Sequence, residues 1–491
     1  MRLTTRLFFF LAAILVLGVC AQKVAGASPE GARAHVPSLE ELPLREEVTQ
    51  HDITWYFERK VRVGRFVNGD YYVAGPVRIT RIEPAPGGGR NGSMLNLRPS
   101  QNQYAAFDDR TSGRRYRAEL GVEPPIELKP GDMLMSSKSA PKKRGHLCLF
   151  GLERNISPVW SYSVLTCLEA PVAADAFRPG YCDRKLRLYY AGDLQWRRLH
   201  NLEHVEHTPE IDRWAQLYRQ PWLDLMGFCF NNAAEYQPQY AREIVRAEAF
   251  ATLLLNLDFP KEKKRPLLIN FVQHGIDLWS IIRDGENEGW KANGGHGSGR
   301  KWAIVFGGMM LGDEEMACPS RSRPEVKFGQ DMQTMYGDCW TGAEVVYAGH
   351  RGVWKGKPVA SNPAQMPYEH LHPSKWAYNT FQYANRAKPT TQYEGEVYRR
   401  TVNSPAWVGV ALAGRIMHAE GYYAHDAFFD YVDRWMTEDD GPLREEIMRS
   451  IDAENTAHDF REQKFRAGRS WDVFVKEMWD TYRKNLPLAQ R

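Results

Sequence analysis

Beyond residue 27 this chain has no apolar run approaching the roughly 18–20 residues that a membrane-spanning helix needs, so no stable membrane span is expected. It also lacks an excess of either charge, with 64 Lys and Arg against 60 Asp and Glu. Without a basic surplus it has no electrostatic footprint for general nucleic-acid binding, and any affinity for acidic ligands must come from local cations. Cysteine is sparse, with Cys148, Cys167, Cys182, Cys229, Cys318 and Cys339 the only ones after residue 27. An even number permits disulfides in an exported chain but selects no pairing, and a chain of this size can bury a core without them.

The one strongly apolar segment is at the start. Arg2 and Arg6 precede the run from Leu7 to Val19, and Ala25-Gly26-Ala27 forms a small-residue cleavage site. Residues 1–27 therefore read as a signal peptide, with a secreted or periplasmic destination. Cys20 suggests a lipid-attachment site, which Val19 immediately before it fits poorly. Removing the segment takes away Arg2, Arg6 and Lys23 and no acid, so the formal charge falls from +4 to +1.

Residues 28–49, rich in Pro, Glu and Ala, are expected to form an extended leader. From about 50 to 195 the texture is β, with Asn68-Gly69 between two strand-like runs giving a strong hairpin signal. Val77–Ile82 alternates with period two, and Met133–Met135, Leu147–Phe150 and Leu186–Tyr190 add short apolar runs between breakers. A β-sandwich-like domain is expected here. From about 205 to 491 the period becomes helical. Helices are expected at 242–255, from Pro266 to 282, at 300–311, from a Ser404 N-cap and Pro405 to 417, at 426–437 and at 470–484. Those at 300–311 and 405–417 are apolar on nearly every face and so should be buried on all sides, while the others carry charges on one face. Alternation of that kind suits an incomplete α/α toroid, giving an α+β chain, although an irregular helical bundle also satisfies it. Between these two helices, 313–403 has little periodicity but many aromatics, including Tyr336, Tyr347, His350, Tyr368, Trp376, Tyr378, Tyr383, Tyr393 and Tyr398.

The chemistry concentrates in Asn293-Gly-Gly-His-Gly-Ser-Gly-Arg-Lys-Trp302. Its glycines allow tight turns and close backbone approach to a ligand. Entering an apolar helix, the loop delivers His296, Arg300 and Lys301 at a terminus whose free N–H groups favour an anion. A nucleotide loop is excluded because Arg300-Lys301-Trp302 supplies no Ser or Thr for magnesium and no strand precedes it. A second junction, Tyr398-Arg-Arg-Thr-Val-Asn-Ser-Pro-Ala-Trp407, again puts cations and amides before an apolar helix. Together the junctions propose a cleft containing Asn293, His296, Arg300, Lys301, Trp302, Tyr398, Arg399, Arg400 and Asn403. His274 and Asp277, at i and i+3 of one helix, read first as a buried hydrogen-bonded pair and second as a substrate-facing base with its orienting acid, while Tyr368 and His370 would line the cleft. His200, His204 and His207 have a zinc-like helical spacing but lie in a charged connector. No metal or cofactor is expected.

A β domain joined to a helical toroid, with export and with His, Tyr, Arg and Asn at helix ends, resembles the polysaccharide lyases of heparinase and alginate-lyase type, many of which place the β domain after the helices. The resemblance implies β-elimination on an acidic polysaccharide. His296 would take the sugar proton, Arg300, Asn403 or Arg399 would neutralise the carboxylate, and Tyr336 or Tyr398 would protonate the leaving oxygen. A glycoside hydrolase would instead need a carboxyl pair, for which Asp284, Glu286, Glu288, Asp313, Glu314 and Glu315 are available. A non-catalytic glycan-binding envelope protein would use the same cleft without a base.

Overall fold

The computed structural model describes residues 34–98, 106–110, 116–144, 157–223, 234, 236–238, 240–285, 290–359, 367–376, 395–450 and 459–488. The expected signal peptide at 1–27, the Leu147–Phe150 run, Cys148, Cys229, Glu286, Glu288, Tyr378, Tyr383 and Tyr393 lie outside the described residues.

The chain is α+β, 38% helical and 20% strand, with its sheet curled into a half-barrel. The strands are β1 (Leu44–Gln50), β2 (Ile53–Arg65), β3 (Tyr71–Ala74), β4 (Val77–Glu83), β5 (Ser93–Leu95), β6 (Ile126–Leu128), β7 (Met133–Arg144) and β8 (Ser157–Leu168). They form one eight-stranded sheet in the order β5-β7-β8-β3-β2-β4-β6, with β1 also paired to β2. Among the described strand pairs of this sheet, β3–β8 alone is parallel. The Asn68-Gly69 hairpin is present: Arg65 pairs with Tyr71, and Gly69 takes the positive φ of 91° that the turn requires. The expected leader contributes β1 through its last residues. Leu186–Tyr190 is not a strand; Leu186 has φ 48° and only Tyr190 makes an isolated bridge, to Ala176.

Along β7 and β8 both faces of the sheet are buried, while β1, β4 and β6 leave one face exposed. Successive side chains on a strand point to opposite faces, so Met133 and Met135 face the helices while Leu134 faces the inside of the curl. Trp55, Phe57, Ile79 and Leu165 fill that interior, and Trp55 donates its indole N–H to Ser136 Oγ at 3.0 Å. The other face belongs to a cluster that runs uninterrupted into the helices.

The helices are α1 (Ile211–Leu217), α2 (Ala241–Leu255), α3 (Lys261–Arg283), α4 (Lys301–Leu311), α5 (Glu314–Ala317), α6 (Pro319–Ser322), α7 (Gly329–Gln333), α8 (Gly395–Tyr398), α9 (Ser404–Ile416), α10 (Glu420–Tyr423), α11 (Asp426–Thr437), α12 (Gly441–Ser450) and α13 (Val473–Tyr482). Within 313–376 two short strand pairs, β9 (Thr334–Tyr336) with β10 (Val345–Tyr347) and β11 (Val353–Trp354) with β12 (Lys357–Pro358), supplement the short helices. No helix among the described residues is long and apolar enough to cross a membrane.

Three sequence expectations need correction. First, α3 begins at Lys261, so Pro266 lies inside it rather than opening it. At the sixth helical position the proline lies just beyond the four N–H groups that lack an intrahelical acceptor, so it leaves the Glu262 carbonyl without its i→i−4 donor. Second, Ser404 is not an N-cap. Its φ and ψ are −55° and −49°, and α8 runs through a π-turn at Arg399–Asn403 directly into α9. Third, α2 and most of α3 are as buried as α4 and α9, charges included. Charged positions do not reveal exposure when their partners are also interior.

Candidate functional site

The glycine loop is held by α2 and α9. Arg300 has φ 73° and ψ −44°, and the Lys301 N–H closes back on Gly299 O at 2.9 Å. This is the rare, strained form of the three-residue γ-turn. Its partners hold it there: the Arg300 N–H donates to Glu248 on α2 at 2.8 Å, and its guanidinium donates to His296 O at 2.7 Å. Trp302 donates to Thr252 one turn along α2, at 2.7 Å, and Trp407 on α9 donates to Ser298 at 3.1 Å. Strain maintained by buried partners is a recurrent feature of functional loops.

At the outer edge of this loop two His–Tyr pairs meet. Tyr240, just before α2, lies edge-on to His296 with ring centroids 4.9 Å apart. His350, just after β10, lies edge-on to Tyr398 with centroids also 4.9 Å apart. Gly294 and Gly295 sit between the pairs. The Gly295 N–H donates to Tyr240 Oη at 3.1 Å and the Gly294 N–H to His350 O at 3.0 Å. A β-carbon on Gly294 would come within 2.5 Å of the Tyr398 ring and 2.6 Å of His350 Nε2. Asn403 Nδ2 fixes this arrangement from behind, donating to Gly294 O at 3.2 Å and Tyr347 Oη at 2.9 Å; Gln333 donates to Gly294 O at 2.8 Å. Asn293, His296, Tyr240 and Tyr398 remain half-buried, whereas Gly294, His350 and Asn403 are buried. Burial drives the Tyr240 hydroxyl well above its ordinary pKa, and a negative charge on neighbouring Tyr398 would act the same way. Tyr240 is thus a neutral hydroxyl near pH 7, suited to donating a proton rather than taking one.

The expected cations do not line this edge. Arg399 and Arg400 are fully buried among acids. Arg399 pairs with Glu396 at 2.9 Å and Glu369 at 3.3 Å, and Arg400 pairs with Glu396 and Asp440. Burial alone would raise the pKa of Glu396, but the two guanidiniums outweigh it and hold it at about 2. Lys301 is equally buried, 2.6 Å from Asp331 and 3.8 Å from the Tyr423 ring centroid. Burial pulls its pKa down while Asp331 opposes the shift. Arg300 and Trp302 shape the loop from inside.

The remaining expected residues are dispersed. Tyr336 is 54% exposed and donates to Asp430 at 2.7 Å, which raises its pKa to about 12. Tyr368 is buried and donates to Glu396 at 2.8 Å, and His370 is exposed. His274 and Asp277 do not form a pair. Asp277 binds the buried Arg178 at 2.7 Å, and Arg178 also binds Asp70 at 2.5 Å, joining α3 to the β2–β3 hairpin. His274 lies among Tyr218, Trp222 and Phe271, where burial lowers its pKa to about 3 with help from Arg300.

Residues 200–207 are not helical, so His200, His204 and His207 share no face. His200 is buried, His204 approaches Asp258 O at 3.2 Å, and His207 pairs with Glu477 at 2.5 Å. The ligand atoms of Glu206, His207 and Glu477 lie within 4.8 Å of one another, an exposed group already joined by that ion pair. Of the acids a hydrolase could use, Asp313 caps α5 and accepts from Tyr189 at 2.7 Å, while Glu314 and Glu315 are exposed.

Tyr240 and His350 are the site residues that sequence reasoning missed. Tyr240 carries no motif, and the charges of α2, which it precedes, hide that helix's burial in the sequence. His350 was visible only as one ring in an aromatic segment, beside Gly349 and Gly352, both of positive φ. Compared with protein-family models, curated proteins and solved structures, the chain has no match.

Proposed function

We propose that this protein is an exported polysaccharide lyase that cleaves a uronate-containing chain by β-elimination at the outer edge of the glycine loop. The observation that carries the reading is the half-buried His296–Tyr240 contact, a proton acceptor beside a hydroxyl that burial keeps protonated. Neutral His296 takes the C5 proton, the C4–O4 bond breaks as the C4=C5 double bond forms, and Tyr240 gives its proton to the departing O4. Solvent then carries the proton from His296 back to Tyr240. Gly295 N–H already donates to Tyr240 Oη, leaving the hydroxyl hydrogen for this transfer. The half-buried Asn293 amide is suited to neutralising the sugar carboxylate, a role better fitted to it than to the interior Arg399, Arg300 or Asn403. Tyr398 and His350 border the neighbouring position.

The finer fold reading, an α/α toroid preceded by a β-sandwich, belongs to the same proposal. It is supported by α4 and α9, buried on nearly every side, set against α11 and α13, which keep a polar face. Export rests on the charge and apolar pattern of residues 1–27. The test is incubation with alginate, glucuronan, pectin and glycosaminoglycans. A lyase produces ultraviolet-absorbing unsaturated ends, a hydrolase only reducing ends, and a glycan-binding protein neither.

A further inference from the structure

Beside Tyr240, three arginines surround one exposed indole. Trp471 is 36% exposed, and the guanidinium carbons of Arg242, Arg469 and Arg246 lie 4.8, 5.2 and 5.8 Å from its ring centroid. Arg242 also lies 5.7 Å from the Tyr240 ring centroid, so the group continues directly from the His296–Tyr240 edge. Like charges repel, and attraction to the electron-rich indole face is what lets guanidiniums gather here.

Their charges are not all answered. Arg246 forms a two-pronged pair with Asp472, at 2.6 and 2.8 Å. Arg242 binds Glu243 at 2.6 Å. Arg469 donates only to main-chain carbonyls, to Arg400 O at 2.9 Å and to Lys464 O, and among the described residues no carboxylate pairs with it. Its Nε has no partner among them either. Burial, with Arg242 and Arg400 nearby, pulls its pKa down to about 10, so it stays charged at neutral pH but in an environment that favours an added anion. The main chain carrying Trp471 is tied to α9, the Trp471 backbone N–H donating to Pro405 O at 3.1 Å.

We infer that Arg242 and Arg469, gathered on Trp471, form a binding subsite for the anionic group of an acidic sugar, a carboxylate or a sulfate ester, adjoining the unit that lies over His296 and Tyr240. The inference deepens the lyase reading and takes its placement from it, but it concerns binding and can stand without turnover. A planar guanidinium with unused donors suits either oxyanion, and the short step from Tyr240 to Arg242 suits successive units of one chain.

The test is electrophoretic retardation of the full-length protein in gels containing polygalacturonate, dextran sulfate or neutral dextran. The wild type should be retarded by an acidic polymer and not by dextran, less so as salt is added. Arg469→Gln and Trp471→Ala should each weaken that retention by about tenfold, the loss of a charged hydrogen bond or of its positioning. Trp471→Ala alters an exposed side chain and guards against Arg469→Gln acting through the fold. The preferred acidic polymer identifies the anion. Equal retention of both variants and the wild type overturns the subsite, as does equal retardation by dextran. Arg469-dependent retention without elimination leaves the subsite standing and removes the lyase reading; elimination with an unchanged KM in Arg469→Gln does the reverse.

Discussion

Tyr240 and His296, far apart in the chain, meet edge to face at 88° with their ring centroids 4.9 Å apart. The contact exists because Gly295 has no side chain: a β-carbon there would sit 2.5 Å from the Tyr240 hydroxyl. A hydroxyl that stays protonated beside an imidazole provides both halves of an acid–base exchange.

The glycines should therefore resist substitution. In Gly294→Ala the new methyl meets Tyr398 and His350, and φ is 61°. We expect a loss of about 1–3 kcal/mol in denaturant unfolding, together with loss of activity. Gly342→Ala, also at positive φ but with open space around it, should cost less and leave activity unchanged.

Arg399 should behave as a structural residue. Arg399→Ala leaves Glu369 with Arg434 and Glu396 with Arg400 but removes one cation from a buried network, at a cost of about 1–3 kcal/mol. Unfolding measurements should register that loss; an unaltered midpoint with a raised KM would return Arg399 to the substrate.

Tyr336 separates the sequence expectation from the structure. Its hydroxyl is occupied by Asp430. Tyr336→Phe should leave kcat within about twofold of wild type, against the roughly 10²–10⁴-fold loss expected on removing a general acid.

His274 predicts a pH dependence of stability. Its pKa is about 3 folded against 6.5 unfolded, so the folded state favours the neutral ring. That contribution is complete above pH 6.5 and is lost as pH falls toward 3, because the unfolded chain then binds a proton the folded one refuses. The slope is about 1.4 kcal/mol per pH unit. His274→Leu should flatten the stability profile in that window, and an unchanged profile would show that His274 does not titrate as described.

The order of strands before helices and the position of α4 were legible in the sequence because they rest on local periodicity and on the Asn68-Gly69 turn. So was the glycine loop, whose composition is itself the signal. The roles of Arg399, Arg400 and Lys301 were not, since a cation before an apolar helix reads the same whether it faces a ligand or a buried acid. Glu369, Glu396 and Asp331 decide that, and each reaches its partner through the tertiary fold or the geometry of a helix not foreseen there. Tyr240 and His350 escaped for the same reason: contact with the loop is the only thing that marks them.

The most direct test of the central claim compares wild type, His296→Ala and Tyr240→Phe for the rate at which ultraviolet-absorbing unsaturated ends appear from a polyuronate, with circular dichroism confirming that all three are folded. Measurable elimination by the wild type and a loss of at least about 10²-fold in each variant are expected. Full activity in a folded His296→Ala protein would contradict that claim.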